Sequence, residues 1–194
     1  MDYEVIDSQL KYDGKVLKVY SDKVKLPNGA TATRENVIRG SAVAMVPVDN
    51  EGNMYFVRQY RHAAKKLVLE IPAGMIEKDE DPKVAAYREL EEEIGLKAEK
   101  LTFICDTYMA IGICTEKVYF YIAEDLKPGK LNPDPDEIIE IEKYTVDEAL
   151  KMIFEGKIED VKTMAGILAY KQYISCKSDI WFFCKIMLYF ILKW

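Results

Sequence analysis

The residues best able to do chemistry in this chain crowd into one stretch, Gly74 to Leu96 (GMIEKDEDPKVAAYRELEEEIGL). Asp81 can cap a helix, Pro82 suits its first turn and Gly95 stops it, so the spacing predicts a helix over residues 82–94. At about 100° per residue, Glu89, Glu92 and Glu93 fall on one stripe. Ala86, Tyr87, Leu90 and Ile94 fall beside them and face a core, while Glu91 points to solvent. Like charges one turn apart destabilise a helix by roughly 0.2–0.5 kcal/mol per pair, and partial burial raises that. Something positive must offset the repulsion. Oxygen donors with no Cys or His nearby suit Mg²⁺ or Mn²⁺. Arg88 is the only base in the cluster and can reach back to Glu80, fixing the preceding loop against the helix. The other reading of the same residues is a plain solvated acidic face.

The spacing decides between them. Gly74, Glu80 and the run Arg88-Glu89-Leu90-x-Glu92-Glu93-x-Gly95-Leu96 match the Nudix box at every defined position. The chain therefore resembles a Nudix hydrolase. The resemblance implies a loop–helix–loop that holds divalent cations against a diphosphate, with Glu89, Glu92 and Glu93 as metal ligands. It adds the carbonyl of Ala73 as a further ligand and the Arg88–Glu80 pair as a brace. Metal ions in such a site neutralise the diphosphate, orient it and lower the pKa of bound water. Positioning and electrostatics then supply most of the catalysis.

Softer patterns extend the likeness over residues 5–172. Arg58-Gln59-Tyr60-Arg61 followed by Leu69-Glu70-Ile71-Pro72-Ala73-Gly74 resembles the Q-Y-R…E-x-P-A-G run of ADP-ribose pyrophosphatases. Arg34-Glu35 before the Ser41–Val48 segment, and Lys151 to Lys162, resemble two further segments of that subfamily. The subfamily implies a homodimer that exchanges its N-terminal β region. It assigns Arg34 and Glu35 to adenine or phosphate binding in the partner's site, and Arg61 to phosphate or terminal ribose. One departure stands out. Where the subfamily carries S-P-G, this chain reads Ala110-Ile111-Gly112, so Gly112 and the later Glu116 match while the serine and proline do not. Ile111 leaves φ less fixed than proline would, which bears on the substrate and not on the reaction class. Gly112 and Glu116 are carried over as substrate-binding residues. The general base of relatives is a glutamate on a loop well after the box; Glu137 holds that place, with Glu140 second. A solvated strand-edge acid is the alternative for both.

The elements that must position these residues are those of an α/β chain. Lys15–Tyr20 and Asp22–Leu26 read as strands of an N-terminal β region over residues 1–38, with a turn at Pro27-Asn28-Gly29. Ser41–Val48 is a continuous apolar run, the mark of a buried strand, and Met54–Val57 follows a turn. Strands are expected over 101–107, 117–123 and 138–144, a Pro-rich loop over 127–136, and helices over 146–155 and 160–173. The expected fold is an α/β/α sandwich with a mixed sheet over residues 39–173, preceded by the small β region. Residues 174–194 form a tail of unknown role. Its run from Ile180 to Trp194 holds Lys185 and is shorter than the about 20 apolar residues of a membrane span. It reads as a packed or interfacial segment or as a C-terminus without function.

Composition sets the outer bounds. In 194 residues, 49% hydrophobic content is enough for a sizeable core and excludes a disordered chain. A net charge of −6 without a basic block argues against coating nucleic acid, although cations can still bring a phosphate compound to a negative site. The single His62 excludes a His-rich metal site. Cys105, Cys114, Cys176 and Cys184 form no C-x-x-C pair, and the polar N-terminus has no signal peptide, so reduced thiols in the cytoplasm are expected. The function implied is hydrolysis of ADP-ribose to AMP and ribose 5-phosphate. The alternatives are another nucleoside diphosphate sugar such as GDP-mannose, a non-catalytic nucleotide-sensing module, or a membrane-surface protein that uses the tail.

Overall fold

The computed structural model of the chain describes residues 2–132 and 138–191, with side chains through Cys176. A mixed sheet forms its centre: β7 (Ala73–Met75), β4 (Ala42–Pro47), β9 (Lys117–Pro128) and β8 (Leu96–Tyr108), in that spatial order. β4 and β9 run parallel and the other two pairings are antiparallel. Every residue of β4 is buried, as a strand covered on both faces must be. The two-residue period of the pleat separates its side chains. Ala42, Ala44 and Val46 join one core with Phe56, Phe120 and Ile167. Val43 and Met45 join the other with Ala86, Leu90 and Tyr121. Full burial of one such large side chain contributes roughly 1.5–3 kcal/mol.

Helix α1 (Pro82–Ile94) covers one face, and α2 (Val146–Phe154) and α3 (Val161–Ile191) lie on the other. An antiparallel sheet of β10 (Ile139–Thr145), β5 (Asn53–Arg61) and β6 (Lys66–Glu70) completes the layers. The expected α/β/α sandwich with a mixed sheet is the fold observed. α1 has the expected bounds. Asp81 accepts from the amides of Lys83 and Val84, and Gly95 closes the helix at φ 66°, donating to the Glu91 carbonyl. Replacing such an N-cap by Ala costs about 1 kcal/mol.

Differences from the reading of the sequence have local causes. The first strand is β1 (Glu4–Asp13), and β2 (Lys18–Lys25) begins later than expected. Lys15 and Val16 instead form a turn in which the Gly14 amide donates to the Leu17 carbonyl at 3.0 Å. β6 and β7 are additional strands; β7 is only three residues long and contains Gly74, too short for a period to show. β9 reaches Pro128, inside the expected loop. α3 continues through residue 174, because no Gly or Pro follows Gly166 to break it. Among the described residues no helix is long and apolar enough to cross a membrane.

β1, β2 and β3 (Thr31–Ile38) make a separate antiparallel sheet. It is tied to the body where Val37 donates to the Ile113 carbonyl and accepts from the Thr115 amide. Every residue of β1 is exposed, including Val5, Ile6, Leu10 and Tyr12. Four large apolar side chains left bare on one ten-residue strand make a candidate contact surface.

Candidate active site

The box loop and α1 meet around one guanidinium. Arg88 Nε and Nη2 donate to the two carboxylate oxygens of Glu80, each at 2.9 Å. Nη1 donates to Glu89 at 2.7 Å and to Glu92 at 2.9 Å, and Nη2 also reaches the Met75 carbonyl at 3.0 Å. The expected brace between Arg88 and Glu80 is therefore present, and Arg88 is also the cation that offsets the carboxylate stripe. The carboxylates raise the Arg88 pKa further above its ordinary value, with the Glu80 hydrogen bonds the largest cause. Arg88 in turn holds the Glu80 carboxyl below the usual range. Glu80 also accepts from the Glu77 amide at 2.9 Å, which closes the loop on itself.

Glu93 is buried at 3% exposure, and its carboxylate accepts from the Ala73 amide at 2.9 Å. Gly74 lies directly beneath Glu89. A Cβ built on Gly74 would stand 1.9 Å from the Glu89 carboxyl carbon and 2.0 and 2.3 Å from its oxygens. Close approach, and not a positive φ, is what requires glycine here. Ala73, Gly74, Arg88, Glu89 and Glu92 all line an open cleft of about 1070 Å³.

A second charged group lines the same cleft. Arg61 donates from Nε and Nη2 to the two oxygens of Glu70 at 2.6 and 2.7 Å. Glu70 is 2% exposed and also pairs with Lys162, which reaches Asp160 at 3.0 Å. Burial pushes the Glu70 carboxyl up, but the Arg61 hydrogen bond and the Lys162 charge outweigh it and hold the pKa below its ordinary value. The start of α3 is fixed to this point because Thr163 Oγ1 accepts from the buried Ile71 amide at 2.8 Å.

The other expected residues fall in several places. Glu116 lines the cleft and pairs with Arg39. Gly112 sits in the exposed turn between β8 and β9, and a Cβ there would meet nothing within 4 Å. Arg34 and Glu35 stand exposed on β3, outside the cleft lining of this chain; the Arg34 guanidinium donates to the neighbouring Thr33 carbonyl at 3.1 Å. Glu140 is exposed on β10, opposite Arg58, and does not line the cleft. Glu137 lies outside the described residues. Reading the sequence alone passes over Arg39, Asp160 and Lys162. Lys162 meets Glu70 across a sequence separation of 92 residues, beyond the reach of any local pattern.

The arrangement can do two kinds of work. Its carboxylates and the Ala73 carbonyl offer hard oxygen donors, and its Arg and Lys side chains offer donors to an anion. Among the described residues no three His, Cys, Asp or Glu side chains are already gathered as a metal cage. Glu89 and Glu92 accept from Arg88, and Glu93 accepts from the Ala73 amide.

Comparison with known proteins agrees with this geometry. A model of the NUDIX domain matches residues 38–165. The chain is 39% identical over 179 residues to the Methanol dehydrogenase activator of Bacillus methanolicus, covering 91% of this chain and 95% of that protein. It is 37% identical over 182 residues to the ADP-ribose pyrophosphatase of Bacillus subtilis, covering 93% and 96%. The solved structure of an ADP compounds hydrolase superposes with a TM-score of 0.83 at 21% identity, covering 91% of this chain and 96% of that one, which speaks for the fold. From the box to the sheet that carries it, this chain belongs to the Nudix family.

Proposed function

We propose that the chain is a metal-dependent hydrolase of nucleoside diphosphate derivatives that cleaves ADP-ribose to AMP and ribose 5-phosphate. The observation that carries this reading is the Arg88-centred carboxylate cluster on the wall of a large cleft. The ADP-ribose pyrophosphatase of Bacillus subtilis, similar along almost its whole length, supports the substrate.

The donor set fits a hard divalent ion, Mg²⁺ or Mn²⁺. Glu89, Glu92, Glu93 and the Ala73 carbonyl would hold it, and the missing Cβ of Gly74 leaves the room that the Glu89 carboxylate needs. When bound, such an ion neutralises the diphosphate and acidifies a water. The chain's own residues do the rest. Arg88 directs its donors at Glu80, Glu89, Glu92 and Met75, so it works as a positioning residue. Arg61, held by Glu70, presents the remainder of its guanidinium to the cleft for phosphate or terminal ribose, beside Glu116. Glu137 accepts the proton of the attacking water, with Glu140 as second choice. Gly112 also binds substrate, and Arg34 and Glu35 do so in the partner's cleft.

That last assignment needs a homodimer through residues 1–38. The exposed Val5, Ile6, Leu10 and Tyr12 of β1 support it, since a three-stranded sheet with this little burial gains stability by packing on a second copy. The unpaired thiols of Cys105, Cys114 and Cys176 support a cytoplasmic location. A second reading is favoured by the Bacillus methanolicus relative: activation of a dehydrogenase. Adding the chain to a methanol dehydrogenase, with and without Glu93→Gln, tests whether any activation requires hydrolysis.

The deciding experiment is a panel of ADP-ribose, ADP-glucose, GDP-mannose, NADH and 8-oxo-dGTP under one metal condition. ADP-ribose is expected to lead by at least about tenfold in kcat/KM, near 1.4 kcal/mol. Faster cleavage of any other compound overturns the substrate and leaves the hydrolase.

A further inference from the structure

Two of the three carboxylates proposed for the metal, Glu92 and Glu93, stand in the last turn of α1. That is a poor place for accuracy. The final carbonyls of a helix have no partner within it, and its last turn frays. Gly95 answers one of them by donating to the Glu91 carbonyl at 3.0 Å. Further anchoring comes from the chain that leaves β9. The Asn132 amide donates to the Glu92 carbonyl at 3.0 Å, and the Gly129 amide donates to the Gly95 carbonyl at 2.8 Å. Between them the Lys130 amide donates to Glu91 Oε1 at 3.0 Å. Three amides of one short stretch therefore grip the end of the helix.

Glu91 is the centre of this joint. It fills an undefined position of the box, and the helical period sends it away from the metal stripe. It does not face solvent alone. Its side chain is only 30% exposed, takes the Lys130 amide and lies 3.2 Å from Lys97 Nζ. These partners, the Lys130 amide most of all, hold its carboxyl below the usual range. The surfaces are closely fitted. A Cβ on Gly129 would stand 3.1 Å from Lys97 Cγ and 3.2 Å from Glu91 Cγ and Oε1, inside ordinary contact. The joint also borders the active cleft. Arg88, Glu92 and Asn132 line both the cleft and a hollow of about 350 Å³ beside it, which Glu91 and Lys130 complete.

We infer that Glu91 is a positioning residue for the metal-binding turn: it moors Gly129–Asn132 on the end of α1, and the moored segment fixes the backbone of Glu92. The inference rests on the reading of the chain as a metal-dependent hydrolase. It gives a task to the one glutamate of the run that the box leaves undefined. Glu91 touches neither substrate nor metal and acts through Lys130 and Asn132. Its carboxylate keeps the segment down where the last turn would otherwise open, so that the Glu92 side chain holds one position.

The mooring can be read without metal or substrate. Amide hydrogen exchange is followed in metal-free wild type, Glu91→Ala, Glu91→Gln and Gly129→Ala, beside thermal melts and steady-state hydrolysis of ADP-ribose with Mg²⁺. In Glu91→Ala the amides of Gly129, Lys130 and Asn132 are expected to exchange about tenfold faster, as a local opening, while those of the preceding turn of α1 keep wild-type rates. The melt should move by no more than about 4 °C. kcat should fall about tenfold at a KM within about twofold, less than a misplacement of about 1 Å would cost, because the Gly95 cap remains. Glu91→Gln retains an oxygen for the Lys130 amide and is expected to restore most of the protection and most of the turnover. Gly129→Ala presses on Glu91 and Lys97 from the other side and should reproduce Glu91→Ala with α1 unaltered; it decides if Glu91→Ala does not fold. Wild-type exchange at Gly129 and Asn132 in Glu91→Ala, faster exchange with unchanged kcat, or no recovery in Glu91→Gln overturns the inference. Protection lost along the whole of α1 does so too, because it marks a role in the fold. If wild type turns over none of the substrate panel, the hydrolase reading falls, while exchange still reports on the mooring.

Discussion

Gly74→Ala is the most informative single change. The new Cβ would lie 1.9 Å from the Glu89 carboxyl carbon, and ordinary contact begins at 3.4 Å, so that carboxylate must retreat by about 1.5 Å. The backbone has no reason to object, because Gly74 is not at positive φ. The atoms that must yield are the far end of a flexible side chain. The stability effect is therefore small. Glu89 loses its 2.7 Å contact with Arg88, while Arg88 keeps Glu80, Glu92 and the Met75 carbonyl. Losing one such pair costs about 1 kcal/mol or less, a melting shift of about 2–4 °C in a chain of this size. Turnover behaves differently, since a misplacement of about 1 Å in a catalytic group can cost 10²-fold. We predict a loss of about 100-fold in kcat/KM on ADP-ribose, matched by Glu89→Gln, with a nearly unchanged melting temperature. The assay is steady-state hydrolysis across a Mg²⁺ titration beside a thermal melt. Turnover within threefold of wild type refutes the reasoning. A melt lowered by more than about 10 °C does so too, because the strain then falls on the fold.

Further predictions follow from the same contacts. Glu93→Gln should keep the fold, since an amide oxygen can still accept from Ala73, yet lose turnover by orders of magnitude; full activity there, or in excess chelator, removes the metal reading. Glu70→Gln leaves Arg61 and Lys162 facing a neutral group and should destabilise by roughly 3 kcal/mol, the low end for a broken buried pair because Arg61 is half exposed. The folded Glu70 pKa lies below its ordinary 4.5, so the stabilisation is complete above that value and disappears as pH falls through the lowered one. Melts from pH 7 to pH 3 should show the gap between wild type and Glu70→Gln closing with acid, and a constant gap would falsify the assignment. The chain should sediment as a dimer at micromolar concentration, and a fully active monomer counts against both the dimer and the role of Arg34. Glu137→Gln should lower kcat while leaving substrate affinity within a few-fold; loss in Glu140→Gln alone moves the base to that residue.

What could be read from the residues was what local physics encodes. α1 was legible to the residue because a capping Asp81, Pro82 and the αL Gly95 bracket it, and because its charged and apolar stripes follow one period. β4 was legible because a strand buried on both sides is a continuous apolar run. The brace was legible because Arg88 and Glu80 belong to one short segment. Arg39 and the Glu70–Lys162 pair were not, since their partners come from distant elements and nothing near Arg39 in the chain marks it off from a surface charge. The length of α3 was missed for another reason: its continuation has no stop signal, and the absence of a breaker is a weaker mark than the presence of one.

The placement of Arg88 bears on the order of events after synthesis. Small metal-binding modules such as zinc fingers wait for an ion before they can close their structure, because their ligands have no other counter-charge to fold around. Here the counter-charge is encoded in the same helix, one turn from Glu92 and adjacent to Glu89. The newly made chain can complete its core with no ion at hand, and on the proposed metal reading loading would be a later, reversible step in which an incoming cation competes with a guanidinium. Maturation would then have no metal checkpoint, and activity would follow the supply of free divalent ion without a change in the amount of folded protein.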